Sequence, residues 1–192
     1  KTIVIDAGHG GTDGGARAPD GSALEKNLAL GVARSLAERL SAEGAAVIMT
    51  RDSDVKISLT ERPAMANRSR ADAFVSVHFN SNKVANSRSG MMVFHHKQDP
   101  LSRLLADCIQ RRLAVKGGMP SLGIRSDTTV YKSGFAVLRN ATVPAVLMEL
   151  GFINHRSDRK RMTHPSFRTD VAEAVVQGLK VFFGDASEKK EE

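Results

Sequence analysis

The chain has a single cysteine, Cys108, so no disulfide can form within it and the fold must rest on its core. One cysteine assigns no compartment, because many exported proteins also lack disulfides. Tryptophan is absent, there is one tyrosine, and aromatics are 5% of the residues. Stacking platforms for single-stranded nucleic acid or sugar rings are therefore scarce. No apolar run approaches the roughly 20 residues that a membrane-crossing helix needs. There is no internal repeat. The chain runs from Lys1-Thr2 straight into Ile3-Val4-Ile5, without an initiating methionine or a signal peptide. That start is expected of a chain whose leading residues were removed in processing, or of a domain taken from something longer.

What remains is ordinary. A length of 192 residues fits one domain, and 41% hydrophobic with 26% charged residues is a globular balance. This excludes wholesale disorder, collagen and coiled coil. The formal charge is +7, from 28 Lys+Arg against 21 Asp+Glu. A basic surface attracts nucleic acid, anionic lipid or acidic wall polymers without choosing among them.

Short apolar runs alternate with segments of helical period. Strands are expected at residues 2–6, 46–50, 73–78, 90–95, 135–138 and 145–148. A helix is expected over 24–43, with Leu28, Val32, Leu36 and Leu40 on one face and Gly44 as its stop. Residues 59–70 read as a helix with Pro63 in its first turn. Residues 100–116 read as another, burying Leu101, Leu104, Leu105, Cys108, Ile109 and Leu113. A last helix spans 165–183, with Phe167, Val171, Val175, Leu179 and Phe182 inward. Residues 116–134 carry four interior or flanking glycines and read as one long loop, of a length that is often functional. The expectation is a single α/β domain over 1–184, with a mixed, mostly parallel sheet of about six strands and helices on both faces, followed by a charged, fraying tail at 185–192.

In open α/β sheets, sites form beyond the carboxyl ends of the strands. Residues able to do chemistry cluster there. His9 follows the first strand in Asp6-Ala7-Gly8-His9-Gly10-Gly11. His78 ends the third, and Glu149 follows Val146-Leu147-Met148. Glu25 opens the first helix. Two histidines and a glutamate with an open fourth position make a catalytic zinc set, and a further carboxylate can move protons. Each also has a plainer explanation. A histidine at a strand end is more often structural, and a first-turn glutamate is favoured by the helix dipole. Glu149 is harder to dismiss, because an unpaired charge at the mouth of a buried strand is costly.

At these residues the sequence resembles the zinc-dependent N-acetylmuramoyl-L-alanine amidases of the type 3 class, which cut bacterial peptidoglycan. The matching stretches are residues 5–11, Leu24-Glu25-Lys26-Asn27, Thr50-Arg51-Asp52, Ala66-Asn67 with 71–80, and 146–154. They span the chain to about Gly184 in the family's order. The resemblance implies that His9, Glu25 and His78 hold one Zn2+ per chain, that Glu149 is the catalytic glutamate, and that the bond cut joins the lactyl group of N-acetylmuramic acid to L-alanine. It implies peptidoglycan as partner and a periplasmic, extracellular or wall location, as for autolysins. The cell-division members carry a regulatory helix inserted after the second histidine motif. Here Asn80 reaches the strand at Gly90 too quickly for one, so activity without an activator is expected.

Lesser candidates have weaker claims. Asn80 is a candidate for orienting substrate. Asp6 is a candidate to support His9 from behind, or a turn residue. Arg51 and Arg62 read as structural ion pairs, and His95, His96, His155 and His164 as solvated surface. Met91-Met92 reads as core. The basic stretch 156–168 reads as a solvated helix face, with attraction to anionic wall polymers as its functional version. Competing readings are a zinc carboxypeptidase-like amidohydrolase and a non-catalytic wall-binding module. The second would be expected to lack a ligand or the base. A nucleic-acid module should show a basic motif with interleaved aromatics, and none is present. A monomer is expected, with no nucleic-acid partner and no membrane span.

Overall fold

A computed structural model describes residues 1–184; the tail expected at 185–192 lies outside the described residues. Six strands form one sheet: β1 (Thr2–Ala7), β2 (Ala46–Met49), β3 (Ala73–Asn80), β4 (Met91–His95), β5 (Ser121–Ser126) and β6 (Ala145–Phe152). Their order is β2-β1-β3-β6-β4-β5. All neighbours are parallel except β4 and β6. The helices are α1 (Glu25–Ala42), α2 (Glu61–Arg68), α3 (Pro100–Lys116), α4 (Ala136–Arg139), α5 (Arg156–Met162) and α6 (Phe167–Phe182). No described helix is long and apolar enough to cross a membrane.

Strand alternation divides the sheet into two unlike faces. Ile3, Ile5 and Ala7 of β1 and Val75, Val77 and Phe79 of β3 pack with Leu28, Val32 and Leu36 of α1, Leu105, Ile109 and Leu113 of α3, and Val171, Val175 and Leu179 of α6. The opposite face carries a smaller cluster, built from Val4, Phe74, Met92, Phe94 and Leu147 under α2 and α4. Those two helices are only 8 and 4 residues long and leave much of that face uncovered. Asp6, Ser76, His78 and Glu149 alternate with the first cluster's residues, so they point to this thinly covered face.

Most expected elements are present within a residue or two of their expected ends, including α1 with its stop at Gly44, where φ is +81°. Three expectations fail. Residues 116–134 are not one loop: they contain β5 and a 3-10 turn at Asp127–Thr129. The strand was illegible because Ser121, Gly123 and Ser126 interrupt any apolar alternation, and Gly123 sits where the β4–β5 register shifts. Residues 135–138 form no strand. Ala136–Arg139 is a helical turn that drops Val137 and Leu138 into the smaller cluster. Four apolar residues cannot be told apart as helix or strand by period alone. In α3, Leu101 and Leu104 are exposed. The inward stripe begins instead at Ser102, whose Oγ accepts from the Ala145 amide at 2.8 Å, and continues through Leu105, Ile109 and Leu113. Cys108 is buried as expected.

Candidate active site

β1 and α1 are joined by a glycine-rich loop that folds back on itself through paired hydrogen bonds between Gly10 and Asp13. The turn puts His9 at φ +59°, a left-handed conformation uncommon outside glycine. Two buried guanidinium groups hold the loop. Arg51 donates to the carbonyls of Ala7, Gly8 and Lys26 at 2.9, 2.7 and 2.8 Å. Arg62 donates to the carbonyls of Ala7 and His9, both at 2.7 Å, and pairs with Asp6 at 2.8 Å. The expected ion pair is thus present at Arg62, whereas Arg51 works through carbonyls. Asp6 does not touch His9. It is a buried anchor that accepts from Thr50, Ser76 and Arg62.

The three candidate ligands come together. His9 Nε2 lies 3.1 Å from Glu25 Oε1, and His78 Nδ1 lies 2.9 Å from the same oxygen. The two imidazoles meet edge to face with centroids 4.9 Å apart. One donor atom from each residue lies within 4.8 Å of the others, the spread of a metal-ligand set. Two glycines make the approach possible. A Cβ on Gly8 would sit 2.4 Å from the His78 ring, and one on Gly15 would meet both Glu25 Oε2 and His9 at 2.6 Å.

His9 and Glu25 are also held from behind. His9 Nδ1 faces Asp13 Oδ2 at 2.9 Å, and Glu25 Oε2 accepts from the Ala16 amide at 2.8 Å. Metal-bound histidines usually donate their second nitrogen to such an acceptor, and Asp13 fills the place for which Asp6 was the sequence candidate. A donor set of two imidazoles and one carboxylate, brought together by the fold, fits a zinc ion.

Glu149 stands beside this set. It pairs in register with His78 across β3 and β6, so both side chains emerge on one face. Its Oε2 is buried and has no hydrogen-bond partner. The two glutamates are driven in opposite directions. Burial disfavours the Glu25 carboxylate, but hydrogen bonds from His78 and His9 outweigh it and hold that group well below the usual carboxylate range. Burial pushes the Glu149 carboxyl well above it, and the nearby Glu25 charge adds to the effect. Burial also pulls His9 down, yet Glu25 and Asp13 leave it raised. Two carboxylates with proton affinities pushed apart are what assigns one to ligation and one to proton transfer.

All four residues line a cleft of about 720 Å³ whose walls are formed by residues 56–59 and by the segment from Tyr131 to Arg139. Asn80 reaches its rim, with Oδ1 accepting from the Ser81 amide. The other sequence candidates sit elsewhere. His95 is buried rather than solvated, with Nδ1 3.0 Å from the His96 carbonyl. His155 caps α5 and His164 is exposed. Arg159 and Arg161 in the basic stretch pair with Asp20 and Asp170. Met91 and Met92 are core, as expected.

Comparisons with known proteins bear on the family and the fold. Residues 3–181 match the profile of the family described as N-acetylmuramoyl-L-alanine amidase. The chain is 38% identical over 186 residues to a Staphylococcus epidermidis protein named "Probable cell wall amidase LytH", a match that covers 95% of this chain and 58% of the relative. The chain therefore spans little more than half the length of the curated relatives it matches. Among solved structures, an N-acetylmuramoyl-L-alanine amidase from Clostridium difficile 630 superposes with a TM-score of 0.89 at 32% identity, covering 96% of this chain and 97% of that one. The catalytic domain of CwlV, an amidase from Bacillus (Paenibacillus) polymyxa, gives 0.88 at 28% identity, covering 96% and 98%.

Proposed function

The chain belongs to the N-acetylmuramoyl-L-alanine amidase family, and on that premise we propose that it hydrolyses the amide between N-acetylmuramic acid and the L-alanine of the peptidoglycan stem, with zinc held by His9, Glu25 and His78. The observation that carries this reading is the pairing of three converged donors with a buried, unpartnered carboxylate oxygen in an open cleft. A zinc ion bound there would supply Lewis acidity, favouring water ionisation and polarising an amide carbonyl.

The protein's own residues do the rest. Glu149 takes the proton of the attacking water and returns it to the departing alanine nitrogen. Its desolvated position raises its proton affinity toward the pH at which both transfers must run. Asp13 fixes the orientation of His9. Arg51 and Arg62 hold the loop carbonyls, so the His9 backbone keeps its unusual conformation without substrate. The ten residues between β3 and β4 contain no helix, which supports activity without an activator. The substrate places the enzyme at the cell wall, outside the membrane.

The test is mass spectrometry of soluble products from purified peptidoglycan. Stem peptides with a free L-alanine amino terminus should appear, and chelator should abolish them. Metal-dependent release of C-terminal residues instead would favour a carboxypeptidase. Binding to the wall with no release in either condition, from protein that carries zinc, would favour a non-catalytic module.

A further inference from the structure

Next to the catalytic cleft, on the same thinly covered face, lies a second cavity of about 230 Å³. Asn80 and Ser81 line both cavities, so they form the saddle between them. The floor is apolar, from Met92, Phe94 and Phe152, and two arginines enter it: Arg88 from the β3–β4 loop and Arg125 from β5. Arg125 Nε is buried and donates to nothing. The Arg88 guanidinium stands over the Phe152 ring at 5.9 Å. Among the described residues no carboxylate is paired with either arginine. A buried guanidinium nitrogen without a protein acceptor is costly, and a bound anion is one group that would complete it.

The cavity is built, not left over. Its loop is fastened at several points: the Asn82 amide donates to Asn154 Oδ1 at 3.2 Å, Asn154 Nδ2 donates back to the Asn82 carbonyl at 2.6 Å, and the buried Asp158 accepts from Ser89 and Gly90 at 2.5 and 3.0 Å. Arg88 is thereby presented by a fixed segment. Across the sheet, Met92 is opposite Glu149 and Arg125 is opposite Phe94. Arg125 is thus two strands across and two residues along from Glu149, about 12 Å at the usual strand spacing and rise. An extended peptide covers that span in about three to four residues.

We propose that this arginine cavity is a subsite for a carboxylate carried by the second or third residue of the peptide being cleaved. The inference rests on the amidase reading. Arg88 and Arg125 grip the carboxylate in charge-assisted hydrogen bonds, and the saddle at Asn80 and Ser81 lies under the backbone between the two cavities. The site therefore selects for peptide charge rather than for sugar.

Two synthetic muramoyl peptides that begin with L-alanine and differ only in a free carboxylate or its amide on the second residue make the first arm of the test. A second pair moves the difference to the third residue. The zinc-loaded protein should show about a tenfold higher kcat/KM for the acid in one of the pairs, carried mainly by KM. Arg88→Gln and Arg125→Gln should each bring the acid down toward the amide, and Arg88→Glu should invert the order. Arg111→Gln, on the exposed side of α3, should leave the ratio as it is. Equal cleavage of acid and amide in both pairs overturns the subsite and leaves the amidase reading standing. The second arm needs no turnover: NMR titration of the free peptides into zinc-loaded protein should shift the Ser81 and Thr129 amides for the acid, and not for the amide or in Arg88→Gln. If no muramoyl peptide is cleaved, the amidase reading fails and this titration alone decides the subsite. Shifts produced by glycerol phosphate but by neither acid peptide overturn it in favour of an anionic-polymer site.

Discussion

The two faces of the sheet solve opposite problems with the same strands. One is sealed by α1, α3 and α6 over a large apolar cluster. The other is roofed by two short helices and carries Asp6, Ser76, His78 and Glu149 among its apolar residues. The sealed face supplies hydrophobic stabilisation. The open face spends part of it on buried polar groups, each of which needs a partner. Asp6 has three donors, Glu25 has two histidines, and Glu149 Oε2 has none. Of these three carboxylates, the one with an unpartnered oxygen is the one assigned to move protons.

That contrast can be broken by substitution. Glu149→Ala should lower turnover by about 10³-fold or more while zinc content, measured by atomic absorption, stays near one per chain. His78→Ala should lose metal and activity together, so the two variants separate ligand from base. Asp6→Ala leaves the Arg62 guanidinium buried and unpaired, and should cost about 3–5 kcal/mol in urea denaturation. Leu36→Ala on the sealed face should cost about 2–5 kcal/mol, with activity per folded molecule unchanged.

Glu149→Gln sharpens the comparison in the other direction. Because burial and Glu25 raise the Glu149 carboxyl, the folded chain holds its proton more tightly than the unfolded chain does. The stability this confers is present below the ordinary carboxylate pKa and is lost as pH rises toward the raised value. The metal-free glutamine variant should therefore be more stable than the parent at pH 7, by about 1–2 kcal/mol, and the gap should close near pH 4. A gap that stays the same at both pH values would show that the carboxyl is not strained. At the small end, Leu104→Ser should stay within about 0.5 kcal/mol, since that side chain is exposed.

The sequence was most legible where one signal dominated. β1, α1 and α6 have clean periods and clear stops, and the four chemical residues were expected at strand ends or a helix start; β6 in fact runs on to Phe152, so Glu149 lies within it. Legibility failed where a segment's structure depends on a distant partner. β5 is a strand because β4 offers an edge, although its own residues alternate poorly. Ala136–Arg139 turns helical because Val137 and Leu138 have a cavity to fill. Leu101 looked inward by spacing, but Ser102 holds that position through the Ala145 amide. In the site, Asp13 was missed because its role depends on a loop reversal, and Arg125 because nothing local marks an unpaired guanidinium.

His9 follows β1, Glu25 opens α1 and His78 lies in β3, and they meet only when these elements have docked. The unfolded chain offers the same donors singly, with no chelate to tie them together. Capture of an ion there would therefore be coupled to completed folding. At a free zinc level 100 times the dissociation constant, mass action alone would deepen the native well by about 2.7 kcal/mol. With zinc in the site as proposed, a chelator should also lower the melting temperature, and zinc supply would set how long the folded chain resists proteolysis.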